Sequence, residues 1–315
     1  MDILTKVLGL KDTNQLKELK ENSDSFFFIA KKEKKRDGTI RITYDVKSEL
    51  KLVHKKITRK LLKKVNYPDY LKGSLPKRDY LDNADAHTSS KCIITEDIKN
   101  FFPSIRKDIV ISIWKNIFHF PHDVAETLAE LITYKGCLVQ GGTASSYIAN
   151  LALWYKEPAL VKELHDQGFR YTRYVDDISV SSKTIITPKE KTKIIRKIHI
   201  MLSSIGVKLN RKKHKIMPRN ESQKIHRINV NTNNPTLPKN ERRKIGSAVY
   251  QCEQMFNSSS NSQEYENLFN STLGRVNMLS RLHDSLAAKL KCRLEKIKPI
   301  KKTTMSQASS LVPRS

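Results

Sequence analysis

The chain has 315 residues, and 59 Lys and Arg residues against 32 Asp and Glu residues give it a formal net charge of +27. This length allows one large domain or two to three smaller ones, with enough chain to bury a substantial core. So large a positive excess makes a protein repel itself unless a polyanion is bound, and it is typical of nucleic-acid-binding proteins. The composition therefore argues against an ordinary soluble protein without such a partner.

The cysteines and the apolar segments bear on the cellular compartment. The four cysteines lie far apart in the sequence and lack the spacing of zinc ligands, which predicts reduced thiols in a cytoplasmic protein. No apolar run approaches the length of a membrane span and the N-terminus lacks a signal-peptide pattern, so we expect no membrane partner. Residues 306–315 are typical of the remnant of an expression tag and are excluded from the predicted fold.

The N-terminal part of the chain predicts a helical cap followed by a basic hairpin. Apolar residues at helical spacing indicate the cap over residues 1–25. A short strand is predicted over Phe26–Ala30, and a basic stretch then leads into a turn at Asp37-Gly38. The alternation in Ile40–Tyr44 predicts the returning strand, and residues 48–65 predict a helix with one apolar and one basic side.

The next segment alternates between turns, a strand and helices. Residues 66–90 are rich in turn residues, and a buried strand is then predicted at Cys92–Ile94, shortly before Asp97. Two amphipathic helices are predicted within residues 106–134, and an apolar helix over 147–155.

Residues 169–181 are the most informative stretch of the chain. Apolar and polar residues alternate on both sides of Tyr-Val-Asp-Asp, which predicts two short strands joined by a tight hairpin with Asp176 and Asp177 at its tip. A surface turn with two solvated carboxylates is the ordinary interpretation of such a pair. Phosphoryl transfer, however, uses two divalent metal ions, and hard cations such as Mg²⁺ prefer carboxylate oxygens. Asp97, at the end of its own strand, is the candidate for the further carboxylate that such a site needs.

The C-terminal part of the chain is basic and largely helical. A basic amphipathic helix is predicted over residues 188–205, a short strand pair across 215–238, and helices over most of 239–298. Four aromatic residues of this last segment either stack on nucleic-acid bases or pack in its core: Tyr250, Phe256, Tyr265 and Phe269.

Several of these motifs, in this order, resemble those of reverse transcriptases. The Tyr174–Asp177 hairpin resembles the YxDD hairpin of their palm, and Asp97-x-x-x-Phe-Phe resembles their first palm motif. Gln140-Gly141 and the helix ending at Leu151 resemble a third motif, although Thr143 and Ser146 stand where that family usually has prolines. Each motif is a weak signal alone, whereas their ordered co-occurrence over most of the chain is specific.

The resemblance implies roles for individual residues. It implies two Mg²⁺ ions, with Mn²⁺ as a substitute, and the positions that it assigns to metal binding are Asp97, Ile98, Asp176 and Asp177. The catalytic residues that it implies are Asp97, Asp176, Asp177 and Lys213, the lysine as proton donor to the leaving pyrophosphate. The nucleotide-binding residues that it implies are Arg41, Phe102, Gln140 and Gly141, with the Phe102 ring as a steric gate against a ribose 2′-hydroxyl.

Plainer interpretations exist for some of these residues. Phe102, which precedes Pro103, is equally compatible with ordinary core packing. Lys212 is as plausible a proton donor as Lys213, and either lysine could simply contact a phosphate of the nucleic-acid backbone.

A further element resembles retron reverse transcriptases in particular. Asn83-Ala84-Asp85-Ala86-His87 matches their NAxxH element, which implies that Asn83 and His87 contribute to RNA binding. Helix caps and local hydrogen bonds are the alternative roles for such residues in a turn-rich segment. A second retron element, a Val-Thr-Gly triplet after the palm, is missing, and Ile225-His226-Arg227 stands in its place.

The resemblance implies an α+β fold with right-hand polymerase architecture. Fingers and a palm with an antiparallel sheet are expected over residues 26–238, and a helical thumb over 239–302. The implied function is an RNA-directed DNA polymerase that copies part of a structured non-coding RNA into branched RNA–DNA, termed msDNA, in anti-phage defence. Its expected partners are that RNA as template and primer, the DNA product, deoxynucleotides and a retron effector protein. The alternatives are another bacterial defence-associated or intron-derived reverse transcriptase, and an RNA-binding scaffold with a vestigial polymerase core.

Overall fold

The computed structural model describes residues 1–35 and 38–299. Asp37 of the predicted turn and the predicted tag residues 306–315 therefore lie outside the described residues. The chain divides into two compact units, of which the first comprises Met1–His226 and Val230–Asn234. The second comprises Arg227–Asn229 and the chain from Pro235 onward. In the described part of the chain, no helix combines the length and the apolar character that a membrane span requires.

Both units are mainly helical, and the strands lie mostly in the first. The helices of the first unit are α1 (Asp2–Leu8), α2 (Thr13–Glu21), α3 (Ser48–Lys60), α4 (Tyr80–Asp85), α5 (Phe101–Ser104), α6 (Lys107–Asn116), α7 (His122–Ile132), α8 (Ser145–Leu151), α9 (Glu157–Asp166) and α10 (Pro188–Ser203). Its strands are β1 (Phe27–Lys34), β2 (Ile40–Val46), β3 (Cys92–Asp97), β4 (Phe169–Tyr174), β5 (Asp177–Ser182), β6 (Lys215–Pro218) and β7 (Lys224–Ile225). The second unit contains β8 (Ile228–Asn229), α11 (Lys239–Ser259), α12 (Gln263–Ser280) and α13 (Asp284–Glu295).

The N-terminal segment folds into two short helices, as its periodicity predicts. Gly9 ends α1 in the left-handed conformation, with a φ of 68° that a glycine adopts without strain. Asp12 begins α2, because its carboxylate accepts a hydrogen bond from the Gln15 amide at 2.9 Å. The end of the cap at residue 25 stays a prediction.

Strands β1 and β2 form the predicted hairpin, but β1 is longer than the sequence indicated. It continues through the basic residues to Lys34, and Lys32 pairs with Ile42 across the hairpin. Only Phe27 of β1 is buried, so water covers the remainder of the strand and its charged side chains stay hydrated. A run of lysines is therefore compatible with a strand here.

A four-stranded antiparallel sheet in the order β4-β5-β3-β6 forms the centre of the first unit. Neighbouring residues Ile93 and Ile94 point to opposite faces of β3, and both have no exposed surface, so both faces of the sheet are covered at its centre. β3 extends beyond the predicted Cys92–Ile94 to Asp97, because its pairing with β5 continues to that residue.

One local prediction is incomplete and one is wrong. Short strands do form within residues 215–238, as expected, but the segment also supplies β6, which pairs with β3, Ile94 lying opposite Ile216. Local alternation indicates a strand but does not specify its partner. The helix expected over 147–155 ends at Leu151, and an unpredicted helix, α9, begins soon after it with Pro158 in its first turn.

The second unit packs its three helices around a small apolar core. Tyr265 and Phe269 of α12 are buried, as are Val249 of α11 and Leu290 of α13, so these two aromatic residues are core residues. Tyr250 is 56% exposed and remains a candidate stacking surface. The assignment of this unit as a thumb stays a prediction.

We predict that Gly73→Ala destabilises the first unit. A Cβ atom at Gly73 would lie 2.6 Å from the Val175 amide nitrogen, a backbone atom that cannot move aside cheaply. Such overpacking costs about 1–3 kcal/mol. The control is Gly246→Ala in α11, where a Cβ atom meets nothing within 4 Å. This substitution should stabilise the helix by about 0.5–1 kcal/mol. Thermal unfolding of both variants checks the opposite signs, and equal shifts would contradict the expectation.

Candidate active site

Strand pairing brings the three predicted carboxylates to one end of the sheet. Asp97, the last residue of β3, lies opposite Asp177, the first residue of β5. Asp176 lies in the turn between β4 and β5, and its carbonyl oxygen accepts a hydrogen bond from the Ile98 amide at 2.8 Å. The end of β3 and the turn are therefore joined directly through the backbone.

The turn itself holds an unfavourable backbone conformation. Val175 has a φ of 57°, in the left-handed region that β-branched residues rarely adopt. Such a conformation persists only where the surrounding structure holds it in place. The close approach of Gly73 to the Val175 backbone supplies one such contact.

Arg173 supplies the second restraint on the turn. Its side chain has no exposed surface, and its Nη1 donates to the Val175 carbonyl oxygen at 3.1 Å. Its Nε and Nη2 donate to the two carboxylate oxygens of Glu157, at 2.6 and 2.8 Å, and Nη2 also donates to the Asn150 carbonyl oxygen at 3.0 Å. This group, Arg173 with Glu157, Asn150 and Val175, is called the arginine clamp below. It ties α8 and α9 to the turn that carries the carboxylates.

Sequence reasoning missed the arginine clamp, although one signal could have revealed half of it. Phe169, Tyr171 and Arg173 share one face of β4, so the alternation that buries the two aromatic residues also buries the arginine. A buried guanidinium requires a carboxylate partner. The identity of that partner, Glu157, could not be deduced because the helix that carries it was not predicted.

The carboxylate cluster is electrostatically strained. Burial, reinforced by repulsion from Asp176 and then Asp97, raises the pKa of the Asp177 carboxyl to about 7. Burial is also the main cause that raises the pKa of Asp176, with repulsion from Asp97 adding to it and the charges of Lys213 and Arg41 opposing it. The Asp177 side chain is 47% exposed, so water screens part of this repulsion.

Asp97 is engaged by two donors from the segment after α10. The Lys213 Nζ lies 2.6 Å from Asp97 Oδ1, and the Asn210 amide donates to Oδ2 at 3.1 Å. The hydrogen bond to Asp97 is the main cause that raises the pKa of Lys213. Of the two lysines that the sequence left open, Lys213 is the one in contact with the cluster, while its role in proton transfer stays a prediction.

The donor set fits a divalent metal ion in its chemistry. Within residues 1–35 and 38–299, no group of three or more His, Cys, Asp or Glu side chains is arranged to hold a metal ion. Both oxygens of Asp97 are instead engaged by Lys213 and Asn210. Burial and repulsion between the carboxylates raise the pKa values of Asp176 and Asp177, and a hard cation bound by these groups would stabilise their charged forms.

The predicted nucleotide-binding residues surround this cluster on separate elements. Arg41 is exposed on β2, and its charge acts on Asp176. The Gln140 carbonyl accepts from the Tyr44 amide at 2.8 Å. Gly141 has a φ of 104°, and a Cβ atom there would lie 2.4 Å from the Tyr44 carbonyl oxygen, so both its conformation and its surroundings require glycine. Phe102 is half-buried in α5 against the core. Their binding roles remain predictions.

The predicted RNA-binding residues Asn83 and His87 are both fully buried. His87 bonds to Ser181 and Thr172, and Asn83 bonds to His226. Neither side chain is placed to contact RNA directly, and their role in RNA binding stays a prediction.

Comparison with known proteins decides the family. The sequence profile described as "Reverse transcriptase (RNA-dependent DNA polymerase)" matches residues 30–241. The Retron Se72 reverse transcriptase of Salmonella heidelberg (strain 579083-10) is 35% identical over 303 residues, covering 95% of this chain and 80% of that protein. The Retron Ec48 reverse transcriptase of Escherichia coli is 32% identical over 314 residues, covering 95% and 76%. The chain belongs to the retron reverse transcriptases.

Membership of this family confirms the main sequence predictions. The retron reverse transcriptase has an α+β fold of the right-hand polymerase type, and its activity is RNA-directed DNA polymerisation. As a reverse transcriptase it uses divalent metal ions and binds an RNA template. A solved telomerase structure from Candida albicans, in complex with a TWJ fragment of telomeric RNA, aligns with a TM-score of 0.40 at 11% identity, over 65% of this chain and 40% of that chain. A likeness that slight carries no argument here.

We predict that Arg173→Met destabilises the reverse transcriptase and lowers its activity. The substitution leaves the Glu157 carboxylate, whose side chain is 1% exposed, without its partner, and breaking a buried pair in this way costs about 3–5 kcal/mol. The control is Arg293→Met, which removes an equally bidentate but partly exposed pair with Glu253 and should cost about 1 kcal/mol or less. Urea unfolding of both variants provides the comparison. Equal costs would mean that the arginine clamp does not stabilise the first unit.

Proposed function

We propose that this reverse transcriptase copies part of a structured non-coding RNA into branched RNA–DNA, with Asp97, Asp176 and Asp177 as its catalytic carboxylates. The observation that carries the site assignment is the register of the sheet, which puts Asp97 opposite Asp177 and Asp176 in the adjoining turn. The similarity to two retron reverse transcriptases over 95% of this chain supports the nature of the product.

Two Mg²⁺ ions, with Mn²⁺ as a substitute, are the metal ions of this proposal. The side chains of Asp97, Asp176 and Asp177 and the main-chain carbonyl of Ile98, whose side chain is buried, would hold them. When bound, they activate the attacking hydroxyl and neutralise the leaving pyrophosphate. Asp97 must then exchange its contact with Lys213 for the metal.

Residues around the carboxylates bind and orient the deoxynucleotide in this proposal. Lys213, released from Asp97, donates a proton to the leaving pyrophosphate from its Nζ. Arg41, on the exposed hairpin strand β2, binds the triphosphate. The loop at Gln140 and Gly141, held against β2 by the Tyr44 amide, borders the nucleotide, and the Phe102 ring lies beneath its sugar.

The remaining parts of the proposal concern organisation and partners. Residues 26–238 would form fingers and palm behind the cap of residues 1–25, and 239–302 the thumb. The 59 Lys and Arg residues would supply salt-dependent affinity for the phosphates of template and primer RNA and of the DNA product. Three further parts of the proposal rest only on the relationship to retrons. They are a cytoplasmic location, a role in anti-phage defence, and an effector protein as partner.

Nucleic acid that copurifies with the protein tests the proposed product. The protein would be isolated from its own host, and the bound nucleic acid would be treated with ribonuclease, with deoxyribonuclease and with a debranching enzyme before sequencing. A molecule that is sensitive to all three treatments is expected. Unbranched RNA alone would favour an RNA-binding scaffold, and unbranched complementary DNA a different reverse transcriptase.

We predict that Asp97→Asn, Asp176→Asn and Asp177→Asn each abolish DNA synthesis while RNA binding persists. Loss of one charge from the cluster weakens the stabilisation of transition-state charge and lowers the rate by about 10²–10³-fold or more. Extension of a DNA primer on an RNA template with Mg²⁺ is the measurement. Asp85→Asn, an exposed carboxylate on α4, is the control and should retain activity. Extension at the wild-type rate by any of the three would refute the site.

We predict that Phe102→Ala admits ribonucleotides. If the ring lies under the sugar, its removal leaves room for a 2′-hydroxyl, and the ratio of deoxy- to ribonucleotide incorporation falls. Phe118→Ala, another half-buried phenylalanine of the first unit, should lower stability without changing that ratio. An unchanged ratio in an active Phe102→Ala enzyme would return Phe102 to core packing.

A further inference from the structure

The NAxxH element is not explained by the proposed chemistry or by direct contact with RNA. Asn83 and His87 have no exposed surface, so neither side chain can meet a nucleotide where it lies. The helix that carries Asn83, α4, is held locally by a capping box, in which Asp79 accepts from the Asp82 amide and Asp82 accepts from the Asp79 amide. The element is therefore rigid and directs two polar side chains into the protein. We infer that these side chains act through contacts with neighbouring parts of the active site.

His87 connects α4 to both strands of the catalytic hairpin. Its two ring nitrogens lie 2.7 Å from Ser181 Oγ on β5 and 2.7 Å from Thr172 Oγ1 on β4. Burial lowers the pKa of His87 to about 3, so the ring is neutral and bonds through one N–H and one lone pair. The His87 ring therefore fixes α4 against the β4–β5 hairpin, at a point several residues from the turn that carries Asp176.

Asn83 reaches the carboxylate end of the same hairpin through His226. The Asn83 Nδ2 lies 2.8 Å from His226 Nε2, and the opposite ring nitrogen, Nδ1, lies 3.7 Å from Asp177 Oδ2. The His226 ring also packs on the Tyr174 ring, with centroids 4.5 Å apart. His226 is thus placed between α4 and the two residues that flank the turn.

The chemistry of these groups fixes the direction of the Asn83–His226 hydrogen bond, whereas His226 and Asp177, at 3.7 Å, are in electrostatic contact only. The Asn83 Nδ2 group can only donate, so His226 Nε2 accepts and the ring proton lies on Nδ1, which faces Asp177. Asn83 Oδ1 is buried and has no hydrogen-bond partner among the described residues, an arrangement that costs about 1–3 kcal/mol. An amide kept at that cost is best explained by its bond to His226.

We propose that Asn83 is a positioning residue for catalysis, which acts through His226 on the orientation of the Asp177 carboxylate, while His87 keeps α4 in place against the hairpin. The inference rests on the proposed role of Asp177. It assigns to the NAxxH element a part in DNA synthesis on any template. It also assigns His226, which stands where the Val-Thr-Gly triplet is missing, to the same chain of contacts.

A generic template separates this role from RNA recognition. Extension of oligo(dT) on poly(rA) would be measured with Mg²⁺ for wild type, Asn83→Ala, His226→Phe and the double variant. Asp85→Ala, an exposed residue of the same helix, is the control and should extend at the wild-type rate. We expect kcat to fall about 10- to 100-fold in each single variant, since a misplaced reacting group costs about that much, while KM for dTTP stays within about twofold. Because both residues act through one contact, the double variant should be no slower than the slower single variant.

A conservative variant and a binding measurement complete the test. His226→Gln, which retains an acceptor and a donor, should recover part of the kcat lost in His226→Phe, and the affinity for structured RNA should be unchanged in all variants. Three results would each overturn the inference. They are a loss of activity confined to structured RNA templates, losses of kcat that multiply in the double variant, and a wild-type kcat in Asn83→Ala. A failure of wild type itself to extend would instead refute the proposed function, so the two failures are distinguishable.

Discussion

The first unit depends on one constraint: three carboxylates must be held close together despite their mutual repulsion. The register of β3 and β5 sets Asp97 opposite Asp177, and the turn adds Asp176. Repulsion and burial raise the pKa of two of these groups, and Lys213 is the cation in contact with the third. Such an arrangement reduces stability and must be stabilised by contacts elsewhere in the fold, as is common at catalytic sites.

The contacts that offset this strain come from separate parts of the chain. The arginine clamp holds the turn from the side of α8 and α9, and Gly73 allows close packing against the Val175 backbone. In the further inference, Asn83 and His226 hold the other side, at Asp177. The turn is therefore restrained from two directions. These restraints account for the buried polar side chains that surround the short β4–β5 hairpin. The arginine clamp and Asn83 act through hydrogen bonds, Gly73 acts through close packing, and His226 acts through its electrostatic contact with Asp177.

The sequence was sufficient for the fold type and for the identity of the clustered carboxylates, because local alternation and ordered motifs specify strands and their ends. It was insufficient for contacts between residues that lie far apart along the chain. Asn83 and His226 are 143 residues apart, and Glu157 lies on a helix that the pattern did not predict. The same limit explains β6, whose pattern indicated a strand but not its pairing with β3. The burial of Asn83 and His87 follows from tertiary packing, which their local sequence does not encode.

The stability of Asp177→Asn, measured together with its activity, tests the central claim most directly. If the carboxylates repel one another in the fold and hold divalent ions, the variant should unfold at a higher temperature than wild type without metal, since a repelling charge has been removed. Mg²⁺ should then raise the unfolding temperature of wild type more than that of the variant, and the variant should not extend a primer. A variant that is less stable than wild type without metal, responds equally to Mg²⁺, or still synthesises DNA would contradict the account.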